Sequence, residues 1–198
     1  MIKYYEDMLK IVADSIESID VAVYEELVKQ CEDTIRSGGK IVASGLGKNV
    51  PICEKFVGTL NSLGVDARFL HTNTAIHGDL GMVGKKDLVI LLSKGGNTIE
   101  TVQLANYLKE RGTNTWLMTF SDTCKSAEIV ENRLIMTLES EGDEWNIVPN
   151  NSTTIYLIIL QGIAIELAKR LGITIDDFRI NHPGGGIGAR LRGEQLWK

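Results

Sequence analysis

Asp87-Leu-Val-Ile-Leu-Leu-Ser-Lys-Gly-Gly-Asn-Thr-Ile-Glu100 is the stretch whose reading decides the fold. Leu88 to Leu92 form an apolar run without alternation, the mark of a strand buried on both faces. Ser93 to Thr98 then break the run, and a helical pattern follows from Ile99 to Arg111. Gly95 and Gly96 let backbone come close to a ligand, Ser93 and Thr98 supply hydroxyls, and the free N–H groups that open a helix favour an anion. An ordinary strand-to-helix turn with Thr98 as N-cap fits the segment equally well at this point.

Working outward, the same grammar recurs. Lys40–Ser44 is a short apolar run that ends in Gly45-Leu46-Gly47-Lys48, and Pro51 sits where a first helical turn tolerates it. Residues 66–70, 113–120 and 133–137 read as further strands, and 51–60, 126–130 and 151–171 as helices between or after them. Upstream, Ile2, Tyr5, Leu9, Val12, Ile16 and Ile19, then Val23, Leu27, Val28, Cys31 and Ile35, fall at three- and four-residue spacings. Two amphipathic helices therefore precede the first strand. Two polar connections are long, 72–84 around His77-Gly78-Asp79-Leu80-Gly81 and 138–150, and residues 181–188 read as a glycine-dense loop. Alternating strands and helices predict an α/β fold: a three-layer αβα sandwich around a five-stranded parallel sheet, with ligands beyond the carboxyl ends of the strands.

The 198 residues suit one domain, with 1–37 as a helical pair and 40–192 as the core. A net charge of −5 with dispersed Lys and Arg leaves no footprint for nucleic acid. No uninterrupted apolar segment reaches membrane-spanning length, and the acidic N-terminus lacks the h-region of a signal peptide. Cys31, Cys53 and Cys124 show no disulfide or zinc spacing, so the expected location is the cytoplasm. GxxxxGK[ST] is absent, and Val50 stands where a dinucleotide fingerprint needs its third glycine, so neither a nucleotide triphosphate nor NAD is expected.

What remains is a small phosphorylated molecule. Ser44, Ser93, Thr98, Ser152, Thr153 and Thr154 lie at three hydroxyl-rich helix entrances after the first, third and fifth strands. Lys48, His71, His77, Asp79, Glu139, Glu141, Asp143, Glu144 and His182 are the titratable groups nearby. His77 or His182 has the pKa range to move a proton next to a carbonyl, and Lys48 the charge to stabilise an enediolate. Each lone histidine also reads as a surface or capping residue, and the acids of 139–144 as a solvated loop. Without HExxH or HxxEH spacing, no metal is expected.

Gly45-Leu46-Gly47-Lys48, the run 75–82 with HGDLG, Ser93-x-x-Gly96-x-Thr98, Ser152-Thr153-Thr154 and His182-Pro183-Gly184-Gly185 occur in this order in a known family. Over about 40–191 the chain resembles the sugar isomerase (SIS) domain of KpsF/GutQ-type arabinose 5-phosphate isomerases. The resemblance implies a flavodoxin-like SIS fold without a cofactor, and interconversion of D-arabinose 5-phosphate and D-ribulose 5-phosphate through an enediol. It further implies a homo-oligomer, dimer or tetramer, whose sites are shared between chains. The family's usual C-terminal CBS pair has no room in 198 residues. Carried over residue by residue, Lys48 becomes the active-site cation, while Ser93, Thr98, Ser152 and Thr153 bind phosphate. His77 lies in the substrate pocket, Glu141 is a catalytic carboxylate, and His182 transfers a proton at a neighbour's site. Asn97 stands where the family has a glutamate, and Thr74 where an acid is common, which implies a shifted substrate preference. A non-catalytic sugar-phosphate sensor and a 6-phospho-3-hexuloisomerase are the alternatives.

Overall fold

The computed structural model describes residues 2–194. Two helices, α1 (Ile2–Glu17) and α2 (Val21–Arg36), precede β1 (Ile41–Gly45), α3 (Asn49–Ser62), β2 (Ala67–His71) and α4 (Thr72–Ala75). A 3₁₀ turn at Asp79–Met82 leads to β3 (Leu88–Leu92), α5 (Ile99–Glu110), β4 (Asn114–Thr119), α6 (Lys125–Ile129) and β5 (Asn132–Ile135). Helices α7 (Asn151–Leu171), α8 (Ile175–Ile180) and α9 (Gly185–Leu191) follow. All strands are parallel, in the order β2-β1-β3-β4-β5.

Strand periodicity divides the core into two layers. Ile41, Ala43, Leu88, Ile90, Leu92, Trp116 and Met118 pack with α1, α2, α3 and α7 on one face. Val42, Val89, Leu91 and Leu117 pack with α4, α5 and α6 on the other. Burial on both faces explains the unbroken apolar run of β3. Because β1 pairs with β2 on one side and β3 on the other, connections leave β1 in opposite directions. The crevice between the loops after β1 and β3 is therefore the topological switch point, where such sheets take ligands.

The strands sit within one or two residues of expectation, and the two leading helices are present. Two connections carry more structure than their sequence announces. Residues 72–84 hold α4 and the 3₁₀ turn, tied down by Arg111 Nη1, which donates to the carbonyls of Leu80 and Val83. The expected loop at 181–188 is corrected, because its second half belongs to α9. Contacts within the segment offset the poor helix propensity of its glycines: the chain folds so closely on itself that a Cβ on Gly188 would stand 2.5 Å from the His182 carbonyl, and Arg192 donates to the Pro183 carbonyl at 2.8 Å. No helix among the described residues is long and apolar enough to cross a membrane.

Candidate active site

The loop after β3 is built to be rigid. Its Lys94 carbonyl accepts from both Phe120 N and the Thr119 hydroxyl at 3.0 Å, and the Gly96 carbonyl accepts from Ser126 N. Gly96 is in the left-handed region, φ +61°, and a Cβ there would lie 2.0 Å from Cys124 Sγ. Close packing on α6, and not approach of a ligand, is what requires this glycine. The Asn97 carboxamide points the same way and accepts from Lys125 N at 3.0 Å. Above this base two hydroxyls are left open. Ser93 is 5% exposed, yet its hydroxyl finds no partner among the described residues. Thr98 occupies the N-cap position of α5 without a side-chain cap bond, so its hydroxyl and the amides of the first turn face outward together.

The other expected hydroxyl donors are engaged within the protein. Ser44 is fully buried and shares a 3.1 Å hydrogen bond with Thr72 beneath the sheet edge. Thr153 and Thr154 donate to the Asn150 carbonyl, and Ser152 donates to Glu141 Oε1 at 2.7 Å. Glu141 is the centre of this end of the site. Far from being solvated with the acids around it, its side chain is 0% exposed. It caps α7 by accepting from Asn150 N at 3.0 Å and Ser152 N at 2.9 Å, while Lys94 Nζ lies 2.7 Å from Oε1. Burial pushes its pKa up, but the Lys94 ammonium and the Ser152 and Asn150 donors outweigh that and hold it below the ordinary glutamate value. To take a proton it must first release one of these donors.

The loop carrying Glu141 owes its shape to its own polar groups. Asp143 accepts from the amides of Trp145, Ile147 and Val148, and Asn146 Oδ1 accepts from Glu141 N at 2.7 Å. A recess of 210 Å³ beside it runs from Lys94 and Gly95 past Phe120 and Ser121 to Ser140 and Asn146.

On the other side of the switch point, Asn49 Nδ2 donates to the Leu92 carbonyl and ties the start of α3 to the end of β3. Lys48 stands at that junction, exposed and without a hydrogen-bond or ionic partner among the described residues. His77 is also exposed, on the connection after β2 at the same edge, and no hydrogen bond joins its ring to the other described residues. His182 is elsewhere. Its Nδ1–H donates to the Phe178 carbonyl at 2.8 Å and its Nε2 accepts from the Ser62 hydroxyl at 3.0 Å. Ser62 ends the helix that Lys48 begins, so His182 lies about 20 Å along that axis from the cluster in its own chain.

The structure thus brings Ser93, Thr98, Ser152, Glu141 and Lys48 to one edge, places His77 on its margin, and separates His182. Lys94 is the residue that sequence reasoning missed. A cation lodged between a hydroxyl and two glycines was a visible signal, but its partner, Glu141, is remote in sequence. Among the described residues no group of three His, Cys, Asp or Glu gathers as a metal site, His71, His77 and Asp79 included. The three cysteines are buried free thiols, and burial pushes Cys31 and Cys53 up to about 12, which removes them as nucleophiles.

Arabinose 5-phosphate isomerase KdsD of Pseudomonas aeruginosa is 35% identical over 178 residues, 90% of this chain and 55% of that protein. KdsD of Escherichia coli K12 is 31% identical over 186 residues, 94% of this chain and 57% of that protein. The chain therefore spans a little over half the length of these curated relatives. Among solved structures, c3406 of E. coli CFT073 in complex with arabinose 5-phosphate superposes with a TM-score of 0.84 at 32% identity, covering 91% of this chain and 94% of that one. The family model of the SIS domain matches residues 34–168, which take in the whole sheet and the open hydroxyls at its edge. This chain belongs to the SIS domain family.

Proposed function

We propose that this protein is an aldose-ketose isomerase of a sugar phosphate, with D-arabinose 5-phosphate and D-ribulose 5-phosphate as the pair it interconverts. The observation that carries the reading is the pair of open hydroxyls, Ser93 just after β3 and Thr98 at the N-cap of α5, across the switch point from Lys48, which has no partner among the described residues. Hydroxyl and amide donors at the start of a helix suit a phosphate. The likeness to the c3406 chain, solved with arabinose 5-phosphate bound, supports the same ligand.

With the phosphate at Ser93 and Thr98, the carbonyl end of the open-chain sugar reaches toward Lys48. A base removes the C2 proton, the ammonium of Lys48 stabilises the enediolate oxygen, a proton passes from the C2 hydroxyl to the C1 oxygen, and return of the proton at C1 completes the aldose-to-ketose conversion. Glu141 contributes by holding Ser152 and Lys94 in place. His77 borders the sugar. His182, already the Nδ1–H tautomer, would serve through Nε2 as the base of a neighbouring chain's site in a homo-oligomer once the Ser62 hydroxyl turns away from it. Exposed apolar residues on α1 (Ile2, Tyr5, Leu9) and on α7 (Ile158, Ile165) support such association. Three free thiols suit a reducing cytoplasm.

Purified protein is incubated with pentose and hexose phosphates in D₂O and followed by NMR. Deuterium at C1 of the growing ketose, and at C2 of the aldose re-formed from it, is expected, and absence of both exchange and ketose with every sugar phosphate overturns the reading. One observation favours a second reading, a sugar-phosphate sensor: the Asn97 carboxamide is turned to Lys125 N, which leaves that loop without a base. Thermal stabilisation by ligand without exchange, unchanged by His182→Ala, would establish the sensor instead.

A further inference from the structure

A lysine ammonium carries three N–H donors. Among the described residues Lys94 directs one of them to Glu141 Oε1 and has no other acceptor. Its partner cannot follow it outward, since Glu141 is fully buried and held by two backbone amides and a hydroxyl. The ammonium is therefore anchored from below while 41% of the side chain remains exposed. It stands next in sequence to Ser93, whose hydroxyl has no partner among the described residues, and it lines the 210 Å³ recess. An anchored cation with two unused donors, on the same short loop as the open hydroxyls of Ser93 and Thr98, is matched by an anion with several acceptor oxygens.

We propose that Lys94 is a specificity-determining residue that bridges the buried Glu141 to the phosphate of the ligand. It gives the site a charge that a neutral sugar cannot answer, so phosphorylated sugars are selected over their dephosphorylated forms. The sugar part of this statement rests on the isomerase reading above, while the anion follows from the placement of Lys94, Ser93 and Thr98 alone. Glu141 is the positioning residue of the pair.

The test is isothermal titration of the full chain with inorganic phosphate. Lys94→Gln is expected to weaken binding roughly tenfold to a hundredfold, the usual effect of deleting a hydrogen bond to a charged group, and Lys94→Arg to retain most of it. Since Lys94→Gln strands a buried carboxylate, the double variant Lys94→Gln with Glu141→Gln supplies a neutral pair of the same shape. It is expected to recover thermal stability and to stay as weak for phosphate as the single variant. Recovery of phosphate affinity in the double variant, or unchanged affinity in Lys94→Gln, overturns the proposal. So does wild-type protein that fails to bind phosphate at millimolar concentration. With a sugar phosphate as substrate, KM rises in Lys94→Gln more than kcat falls. Phosphate binding that depends on Lys94 in a protein that turns over no sugar phosphate would support this inference and defeat the isomerase reading.

Discussion

Asp87 and Glu141 are buried carboxylates at opposite edges of one sheet, each with a lysine ammonium 2.7 Å away. Asp87, just before β3, accepts from the amides of Lys40 at 3.0 Å and Gly84 at 2.6 Å. Glu141, beyond β5, accepts from those of Asn150 and Ser152. The chemistry is nearly the same; the surroundings are not. Lys40 is 23% exposed and pinned where strands begin, while Lys94 is 41% exposed and stands where loops hand over to helices with free N–H groups. An ion pair is thus a fastening at one edge and, in our proposal, the floor of a binding site at the other. Its place in the topology decides which.

The comparison can be broken by substitution. The largest effect is expected from Asp87→Ala, which strands the charge of Lys40 and should lower unfolding free energy by about 3–5 kcal/mol in urea titrations. Turnover per folded molecule should not change. If turnover falls with stability retained, the two edges are not functionally distinct. Lys48→Ala should do the reverse, reducing kcat about 10²–10³-fold while the thermal midpoint stays put, since the side chain has no partner to lose among the described residues. Smaller again is Gly96→Ala, which combines φ +61° with a Cβ 2.0 Å from Cys124 Sγ. A loss of about 1–3 kcal/mol is expected, with weaker phosphate binding as the loop lifts from α6.

Acid sharpens the contrast with a gentler effect. Burial raises both carboxylates, but at Asp87 the Lys40 ammonium and two amides prevail, as Lys94 and its companions do at Glu141, so each pKa ends below its ordinary value. Both contributions are complete above the ordinary values, 3.8 for Asp and 4.5 for Glu, and disappear as pH falls through the lower folded values. Unfolding followed from about pH 6 downward should lose the Glu141 part of this slope in Glu141→Gln and the Asp87 part in Asp87→Asn. The smallest effect belongs to Thr98→Ala: stability within about 0.5 kcal/mol, because no cap bond is made, yet a few-fold loss of phosphate affinity.

Much of the fold was legible because it depends on local pattern. The unbroken run Leu88–Leu92, the glycine turn after Ser44 and the helical spacing before Lys40 each state their own environment. Strand ends moved by a residue, as from Lys40–Ser44 to Ile41–Gly45, because the ladder, not the pattern, sets where pairing stops. The segment 181–188 was opaque for the opposite reason, since its helix is held by packing against Gly188 that no propensity reports. At the site, residue types were readable and partners were not. Ser44, Ser93 and Ser152 look alike in sequence, but Thr72 occupies the first, Glu141 the third, and the second is left open. The acids of 139–144 look alike too, and only folding puts Glu141 inside. The pairings of Ser44 with Thr72 and of Lys94 with Glu141 are tertiary facts, and they separate donors spent on the fold from those left open.

Crystals grown with D-arabinose 5-phosphate offer the most direct measurement. The phosphate is expected within hydrogen-bond distance of the Ser93 and Thr98 hydroxyls and Lys94 Nζ, with the carbonyl end of the sugar toward Lys48. Density for the phosphate elsewhere, or a ligand-free edge in crystals saturated with the sugar, would contradict the account.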